Sequence, residues 1–134
     1  MMRLTVAVAL GSALGGMARQ GVRDLALLAG LDAFPWDTLA VNTLGSFLIG
    51  LLAGLTAADG RVPLSPAQQQ FLMGGFCGGF TTFSIFSVES IQLLASGRHM
   101  AAVALITVTM LLALAGCLAG LQLGDRHGGA SPGR

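Results

Sequence analysis

Residues 74–89 read GGFCGGFTTFSIFSVE and lie inside a long apolar stretch of the chain. An unbroken helix over residues 67–96 would be about 45 Å long, whereas the hydrocarbon core of a bilayer is about 30 Å thick. The four glycines of the segment each weaken a helix by about 1 kcal/mol relative to alanine. We therefore predict a helix break near Gly78 to Thr81. A continuous glycine-rich helix that packs tightly against a neighbour fits the composition equally well.

The composition indicates a membrane protein with a single domain. Of the 134 residues, 54% are hydrophobic and 10% are charged, whereas a soluble domain has about 25% charged residues. The net charge of +1 argues against nucleic acid as a partner. Cys77 and Cys117 lie in apolar stretches and are expected to be small buried side chains. The sequence has no recognisable nucleophile–base pair or metal-binding motif, so we do not expect an enzyme.

Apolar stretches of suitable length predict four transmembrane helices in an all-α fold. They lie in one domain, residues 1–124, and a disordered tail is expected at 125–134. The predicted helices cover residues 3–24, 37–58, 67–96 and 99–122. A cleavable signal peptide is the alternative for the first stretch. Glycines at four-residue spacing, such as Gly116 and Gly120, predict closely packed helices.

The arginines give almost no signal for the orientation of the chain in the membrane. All seven basic residues are arginine. Four of them, including Arg61 and Arg134, fall on the same predicted side of the membrane as the N-terminus, and three fall on the opposite side. Orientation normally follows an excess of basic residues on the cytoplasmic side. A chain without that excess can insert both ways, which predicts an antiparallel dimer with its two-fold axis in the membrane plane.

Aromatic and hydroxyl side chains run together along the third stretch. Helical spacing places four phenylalanines on one stripe: Phe76, Phe80, Phe83 and Phe86. Such a stripe is usually buried core or lipid contact. Here Thr81, Thr82, Ser84 and Ser87 occupy the adjacent faces. The edges of phenyl rings are positively polarised, so rings and hydroxyls together can solvate a small anion that must both enter and leave.

Three further polar residues lie in or near the predicted spans. Asn42 either bonds across helices or donates into a pore, because a buried amide must be satisfied. Arg19 either reaches the interface or attracts anions into a vestibule. Glu89 requires a partner or water. On an anion path it is either protonated or bonded to a hydroxyl group that it orients.

The segment GGFCGGFTTFSIFSVE resembles the third-span signature of the CrcB/Fluc fluoride channels. GSALGGMARQ, which contains Arg19, and DTLAVNTLGSFLIG, which contains Asn42, resemble the motifs of the first and second spans. The resemblance covers residues 3–122. It implies a passive, fluoride-selective channel of the bacterial inner membrane that exports fluoride from the cytoplasm and lowers its toxicity. It also implies an antiparallel, dual-topology homodimer with two pores.

The resemblance assigns roles to particular residues. Phe83 and Phe86 match the pore phenylalanines, and Asn42 matches the pore asparagine. Gly78 and Thr81 match residues whose carbonyl groups, from both subunits, hold a structural sodium ion at the dimer centre. The other matches along the pore and its vestibule are Thr38, Ser84, Ser87, Glu89 and Arg19. Phe80 matches an apolar position outside the pore.

The sequence departs from the family pattern at two positions. Ile85 stands where the family has a threonine of the polar track, and Gln20 stands where an aromatic residue often follows the arginine. The chain also has no tyrosine. Any role of a tyrosine hydroxyl in the family is therefore absent here or filled by another donor.

Two other classes of function are compatible with four small spans. A small dual-topology multidrug exporter would exchange protons for cationic substrates at a membrane carboxylate, usually in the first span. The apolar part of the first span has no acid, and Glu89 lies among phenylalanines and serines. A membrane scaffold without transport activity would tolerate substitution of Asn42.

Overall fold

The computed structural model describes residues 1–57 and 62–128, and this part of the chain is helical apart from short connections. The all-α prediction is therefore confirmed. In chain order the elements are α1 (Met2–Leu28), α2 (Trp36–Leu55), α3 (Pro66–Gln69), a π-helix (Gln70–Cys77), α4 (Gly78–Phe80), α5 (Ser84–Ala95) and α6 (His99–Gly128). The elements from α3 to α5 are consecutive parts of one third span, Pro66–Ala95.

Within residues 1–57 and 62–128, three helices are long and apolar enough to cross a membrane: α2, the third span and α6. The chain is thus a multi-pass membrane protein. The first helix, α1, is not among the three, although its 27 residues give it sufficient length. Arg3 and Arg19 lie at the two ends of its apolar stretch and limit its hydropathy.

The third span is broken, as predicted, but the break lies later than Gly78. Residues 78–80 are still helical. Thr81 takes an extended conformation, with φ −78° and ψ 163°, and α5 begins at Ser84. The break therefore consists of Thr81, Thr82 and Phe83, and it overlaps the predicted range only at Thr81. A β-branched residue adopts the extended conformation readily.

Gly75 and Gly79 of the third span serve helix packing and do not mark the break. A Cβ atom on Gly75 would lie 2.9 Å from the Cα of Gly11, and one on Gly79 would lie 2.8 Å from the Cα of Ser12. Cβ atoms in proteins essentially never come so close to another heavy atom. Because these glycines have no side chains, the backbones of α1 and the third span touch while the helix stays intact.

Glycine contacts also join α2 to α6, as the four-residue spacing predicted. A Cβ atom on Gly50 would meet the backbone of Cys117, and one on Gly120 would lie 2.8 Å from the nitrogen of Leu51. A Cβ atom on Gly124, the next glycine in this row, would likewise lie 2.8 Å from the nitrogen of Leu55. This continued packing accounts for α6 running to Gly128 rather than ending at residue 122.

The remaining boundaries differ from the prediction by a few residues. Helix α2 ends at Leu55 rather than residue 58. The third span starts at a capping box, in which the Ser65 hydroxyl accepts a hydrogen bond from the Gln68 N–H at 3.3 Å and the Gln68 side chain accepts one from the Ser65 N–H at 2.9 Å. Arg61, Arg134 and most of the predicted tail, residues 129–134, lie outside the described residues.

The contact between α1 and the third span predicts opposite results at two adjacent glycines. A Cβ atom on Gly15 would lie 2.8 Å from the backbone nitrogen of Phe80, whereas one on Gly16 meets nothing within 4 Å. Overpacking costs about 1–3 kcal/mol, and each alanine gains about 1 kcal/mol of helix propensity. Gly15→Ala should therefore lower the thermal unfolding midpoint in detergent, and Gly16→Ala should not. Equal midpoints would contradict this packing.

Candidate functional site

The centre of the site is a pair of hydrogen bonds between the Asn42 side chain and the backbone of Thr82. Asn42 Nδ2 donates to the Thr82 carbonyl oxygen at 2.9 Å, and the Thr82 N–H donates to Asn42 Oδ1 at 2.7 Å. Because an N–H only donates and a carbonyl only accepts, the two bonds fix the orientation of the amide. Asn42 thus replaces helical partners that Thr82 lacks at the break. Backbone groups in a membrane need such replacements.

Two threonine hydroxyls complete the ends of the break. Thr81 Oγ1 donates to the Cys77 carbonyl at 3.0 Å, one turn back in the helix. Thr82 Oγ1 accepts from the Ile85 N–H at 3.1 Å and so satisfies one donor in the first turn of α5. The Thr81–Thr82 pair therefore ends one helix segment and starts the next.

The same bonds leave two carbonyl oxygens without their helical donors. In a continuous α-helix, Gly78 would accept from the N–H of Thr82, and Thr81 would accept from the N–H of Ile85. Those N–H groups donate instead to Asn42 Oδ1 and Thr82 Oγ1. Carbonyl groups freed in broken membrane helices are suitable ligands for sodium. The predicted sodium ligands, Gly78 and Thr81, are thus among the carbonyls that lose their helical donors at the break.

A groove of about 210 Å³ lies between the break, α2 and α6, and we call it the side groove. The rings of Phe83 and Phe86 meet there, with centroids 5.9 Å apart and an interplanar angle of 41°. Phe86 is 6% exposed and Phe83 is 72% exposed. The structure therefore brings together Asn42, Phe83 and Phe86, the residues matched to the pore. The lining residues are Asn42, Ser46, Thr81, Thr82, Phe83, Phe86, Thr109, Met110 and Ala113.

The side groove offers neutral hydrogen-bond donors and no formal charge among its lining residues. An amide has two N–H donors, and the bond to Thr82 uses one of those on Asn42. Thr109 is 3% exposed, and its hydroxyl oxygen has no hydrogen-bond partner within the described residues. The edges of the Phe83 and Phe86 rings add weak positive polarisation. This arrangement suits a small anion that is held without a fixed countercharge.

Three other predicted residues, Arg19, Thr38 and Glu89, line two further cavities. A cavity of about 400 Å³, the vestibule, is bordered by α1, α2 and α5 and includes Arg23, Asp37 and Glu89 among its lining residues. A smaller cavity of about 10 Å³, the recess, is lined by Arg19, Thr38 and Thr82 together with Arg23 and Asp37. Arg23 and Asp37 border both cavities, and Thr82 borders the recess and the side groove. The recess therefore shares lining residues with both of the other spaces.

The contacts of Arg19 and Glu89 differ in part from those predicted from the sequence. Arg19 Nε donates to the Gly79 carbonyl at 3.4 Å, so it contacts the helix just before the break. Thr38 is 2% exposed and lies beside the Glu89 carboxylate. Glu89 Oε1 is 3.7 Å from Arg23 Nη1. The partners of Glu89 therefore include an arginine, which the sequence alone did not indicate.

Ser84 and Ser87 do not line the side groove, the vestibule or the recess. Ser87 Oγ donates to the Phe83 carbonyl at 2.8 Å, and Ser84 Oγ lies 3.5 Å from Thr82 Oγ1. Within one chain these two predicted site residues are therefore separate from Asn42. Phe80 is 8% exposed and stacks on Phe76 with a centroid distance of 5.8 Å, in agreement with a position outside the pore.

Several residues of the site are not predicted from the sequence. Thr109 could have been noticed in the sequence, because it is one of few hydroxyl residues in the apolar α6. Thr82 stands out in the sequence only as a neighbour of the phenylalanines, yet its backbone is the partner of Asn42. The pairing of Arg23 with Asp37 and Glu89 depends on three helices meeting, and no spacing in the sequence indicates it.

Comparison with known proteins adds an independent line of argument. Residues 6–121 match the family described as "CrcB-like protein, Camphor Resistance (CrcB)". The chain is 54% identical over 97 residues to the fluoride-specific ion channel FluC 1 of Rhodopseudomonas palustris (strain BisB18), covering 71% of this chain and 67% of that protein. It is 42% identical over 123 residues to the fluoride-specific ion channel FluC of Rhodospirillum rubrum, covering 92% and 91% of the two chains. It is also 42% identical over 132 residues to the fluoride-specific ion channel FluC 2 of Bacillus licheniformis, covering 97% and 93%.

The Asn42–Thr82 bonds predict that substitution of Asn42 loosens the break. Asn42→Ala leaves the part-buried Thr82 N–H and carbonyl without this partner, at a cost of at most about 1–3 kcal/mol for each group. Peptides covering residues 80–86 should then exchange amide hydrogen faster, and the thermal midpoint should fall. Thr43→Val is the matched control on the same helix, because the Thr43 hydroxyl is buried without a partner in the described part of the chain. Equal exchange in both variants would contradict the role of Asn42.

Proposed function

Because the chain belongs to the CrcB-like protein family, we propose that it is a passive fluoride-selective channel that exports fluoride across the bacterial inner membrane and so lowers its toxicity in the cytoplasm. The name of each relative above, a fluoride-specific ion channel, supports this assignment. The observation that carries it is the side groove, where Asn42, Phe83 and Phe86 meet beside a helix break.

The chemistry of the side groove is suited to fluoride. Fluoride is small and holds water strongly, so a pore must replace its hydration with several close donors. The free amide N–H of Asn42, the Thr109 hydroxyl and the ring edges of Phe83 and Phe86 are such donors. Because none of them carries a full charge, the ion is bound weakly enough to leave again, as conduction requires.

The channel is an antiparallel, dual-topology homodimer with two pores. Phe83 borders the side groove and is 72% exposed in the single chain. A second chain packed over the break would cover Phe83 and close the side groove. The near-even distribution of arginines supports insertion in both orientations. In this assembly α1 is the fourth membrane span, since it packs along the third span through Gly11 and Gly15.

A structural sodium ion at the dimer centre fits the freed carbonyls. Gly78 and Thr81 offer two neutral oxygens from one chain, and the antiparallel partner would contribute the same pair. A sodium ion held by these oxygens would supply positive charge between the two breaks. Gly78 is exposed in the single chain, and a Cβ atom on it meets nothing within 4 Å, which leaves room for the partner at this position.

The remaining residues serve the path at either end of the break. Arg19 and Thr38 border the recess, where a cationic group and a hydroxyl would favour an anion. Glu89 lies on the path from the vestibule. Ser84 and Ser87 lie on an adjoining face of α5 and would line the path only with a second chain in place. Ile85 removes one hydroxyl from this track, and Thr109 offers another from α6.

Efflux of fluoride from proteoliposomes, followed with a fluoride electrode, tests the proposed function. The wild-type protein should release fluoride and retain chloride, without any need for a proton gradient. Phe83→Ile removes a ring edge from the side groove, and Asn42→Asp removes an amide donor. Each should lower the rate at least about tenfold. For Asn42 the reason is that a hydrogen bond to a charged group contributes about 1.5–3 kcal/mol.

Phe71→Ile is the matched control, because Phe71 lines an apolar surface groove near Arg3 and Leu64, away from the break. It should leave the rate close to that of the wild type. Equal release of chloride, or transport that requires a proton gradient, would refute the fluoride channel and favour a different transporter class.

Replacing sodium by N-methylglucamine at equal ionic strength tests the proposed cation. Removal of the ion from its carbonyl ligands should lower both the thermal midpoint and the fluoride efflux rate, because a ligand that binds the folded state stabilises it. Lithium and potassium at the same concentration show whether the effect is specific. If stability and efflux are unchanged without sodium, the Gly78 and Thr81 carbonyls have another role.

A further inference from the structure

Three charged side chains from three helices meet beside the path, and we call them the charge triad. Arg23 of α1 has its Nη1 atom 3.9 Å from Asp37 Oδ2 and 3.7 Å from Glu89 Oε1. The side chains of Asp37 and Glu89 are 16% and 14% exposed, and that of Arg23 is 45% exposed. One cation therefore faces two largely buried acids, and the formal charge of the triad is −1.

The charge triad borders the vestibule, and two of its members also border the recess. Arg23 and Asp37 border both the vestibule and the recess, and Thr82 connects the recess to the side groove. The recess, at about 10 Å³, has room for about one water molecule or an ion of that size. An anion that moves from the vestibule to the side groove passes the triad without space for a full hydration shell.

Charge compensation within the triad is incomplete. Glu89 Oε2 is buried and has no hydrogen-bond partner within the described residues. Both ion-pair distances exceed the about 2.7–2.9 Å of a charge-assisted hydrogen bond, so Arg23 lies near both acids and is hydrogen-bonded to neither. The other charged groups that border these cavities are Arg19 at the recess and Asp32 and Arg98 at the vestibule.

We propose that the formal charge of the Arg23–Asp37–Glu89 triad sets the rate at which anions pass from the vestibule to the side groove, with Asp37 as a brake that competes for Arg23. The inference rests on the proposed function, since it concerns the same path. Removal of Asp37 leaves Arg23 with Glu89 alone and makes the triad neutral. Removal of Arg23 leaves two acids side by side and repels an anion.

Four proteins separate an electrostatic effect from a structural one. The triad carries −1 in the wild type, 0 in Asp37→Asn, −2 in Arg23→Gln and −1 again in the double variant. At low ionic strength, fluoride efflux should be about threefold or more faster in Asp37→Asn and slower by a similar factor in Arg23→Gln. The double variant should return towards the wild-type rate, although it lacks both ion pairs.

Asp24→Asn is the matched control. It makes the same change of charge one residue from Arg23, but Asp24 is exposed, bonds to Gln20 at 2.8 Å and does not line the vestibule or the recess. It should change efflux much less than Asp37→Asn. Adding an impermeant salt to about 1 M shortens the screening length to about 3 Å. The differences in fluoride efflux rate among the four proteins should then become smaller.

Different outcomes refute the two proposals separately. If the wild type releases no fluoride, the proposed function fails and the inference fails with it. If the wild type releases fluoride but the double variant is as slow as Arg23→Gln, the ion pairs are structural and only the inference is overturned. The same holds if Asp37→Asn is no faster than the wild type while thermal midpoints show that both are folded.

Discussion

A chain that leaves the helical conformation inside a membrane needs partners for the backbone groups that it frees, and here one side chain supplies two of them. Asn42 donates to the carbonyl of Thr82 and accepts from its N–H. Because these bonds replace water that the bilayer lacks, the break can persist. Its persistence frees the carbonyls of Gly78 and Thr81 and places Phe83 beside the side groove. The candidate site is thus a consequence of how the break is satisfied.

Close contact between helix backbones at glycine positions keeps Asn42 level with Thr82. Helix α2 is fixed to α6 through glycines such as Gly50 and Gly120, so that Thr109 of α6 faces the same groove as Asn42. The third span is fixed to α1 through Gly75 and Gly79. In lipid, where apolar side chains gain little by leaving the hydrocarbon, close backbone contact is an effective source of association. The two pairs are joined beside Asn42, because a Cβ atom on Gly45 of α2 would meet the Thr81 side chain.

The sequence predicted those features that depend on local pattern and missed those that depend on which helix faces meet. The apolar stretches, the broken third span, Asn42 and the Phe83–Phe86 pair were all accessible from spacing and resemblance. The break was placed too early because glycine weakens a helix and also permits close packing, and only contacts distinguish the two. Arg23 was missed because its partners, Asp37 and Glu89, come from other helices.

Solid-state NMR in lipid bilayers tests the Asn42–Thr82 bonds most directly. Asn42 is the only asparagine in the chain, so side-chain ¹⁵N-asparagine labelling gives a single amide signal. With ¹³C-carbonyl threonine, the 2.9 Å hydrogen bond predicts a dipolar coupling from this amide to the Thr82 carbonyl carbon, which Thr82→Ser should abolish while the fold is kept. If the amide has no such coupling and Thr82 shows helical carbonyl shifts, the third span is continuous there and the account is wrong.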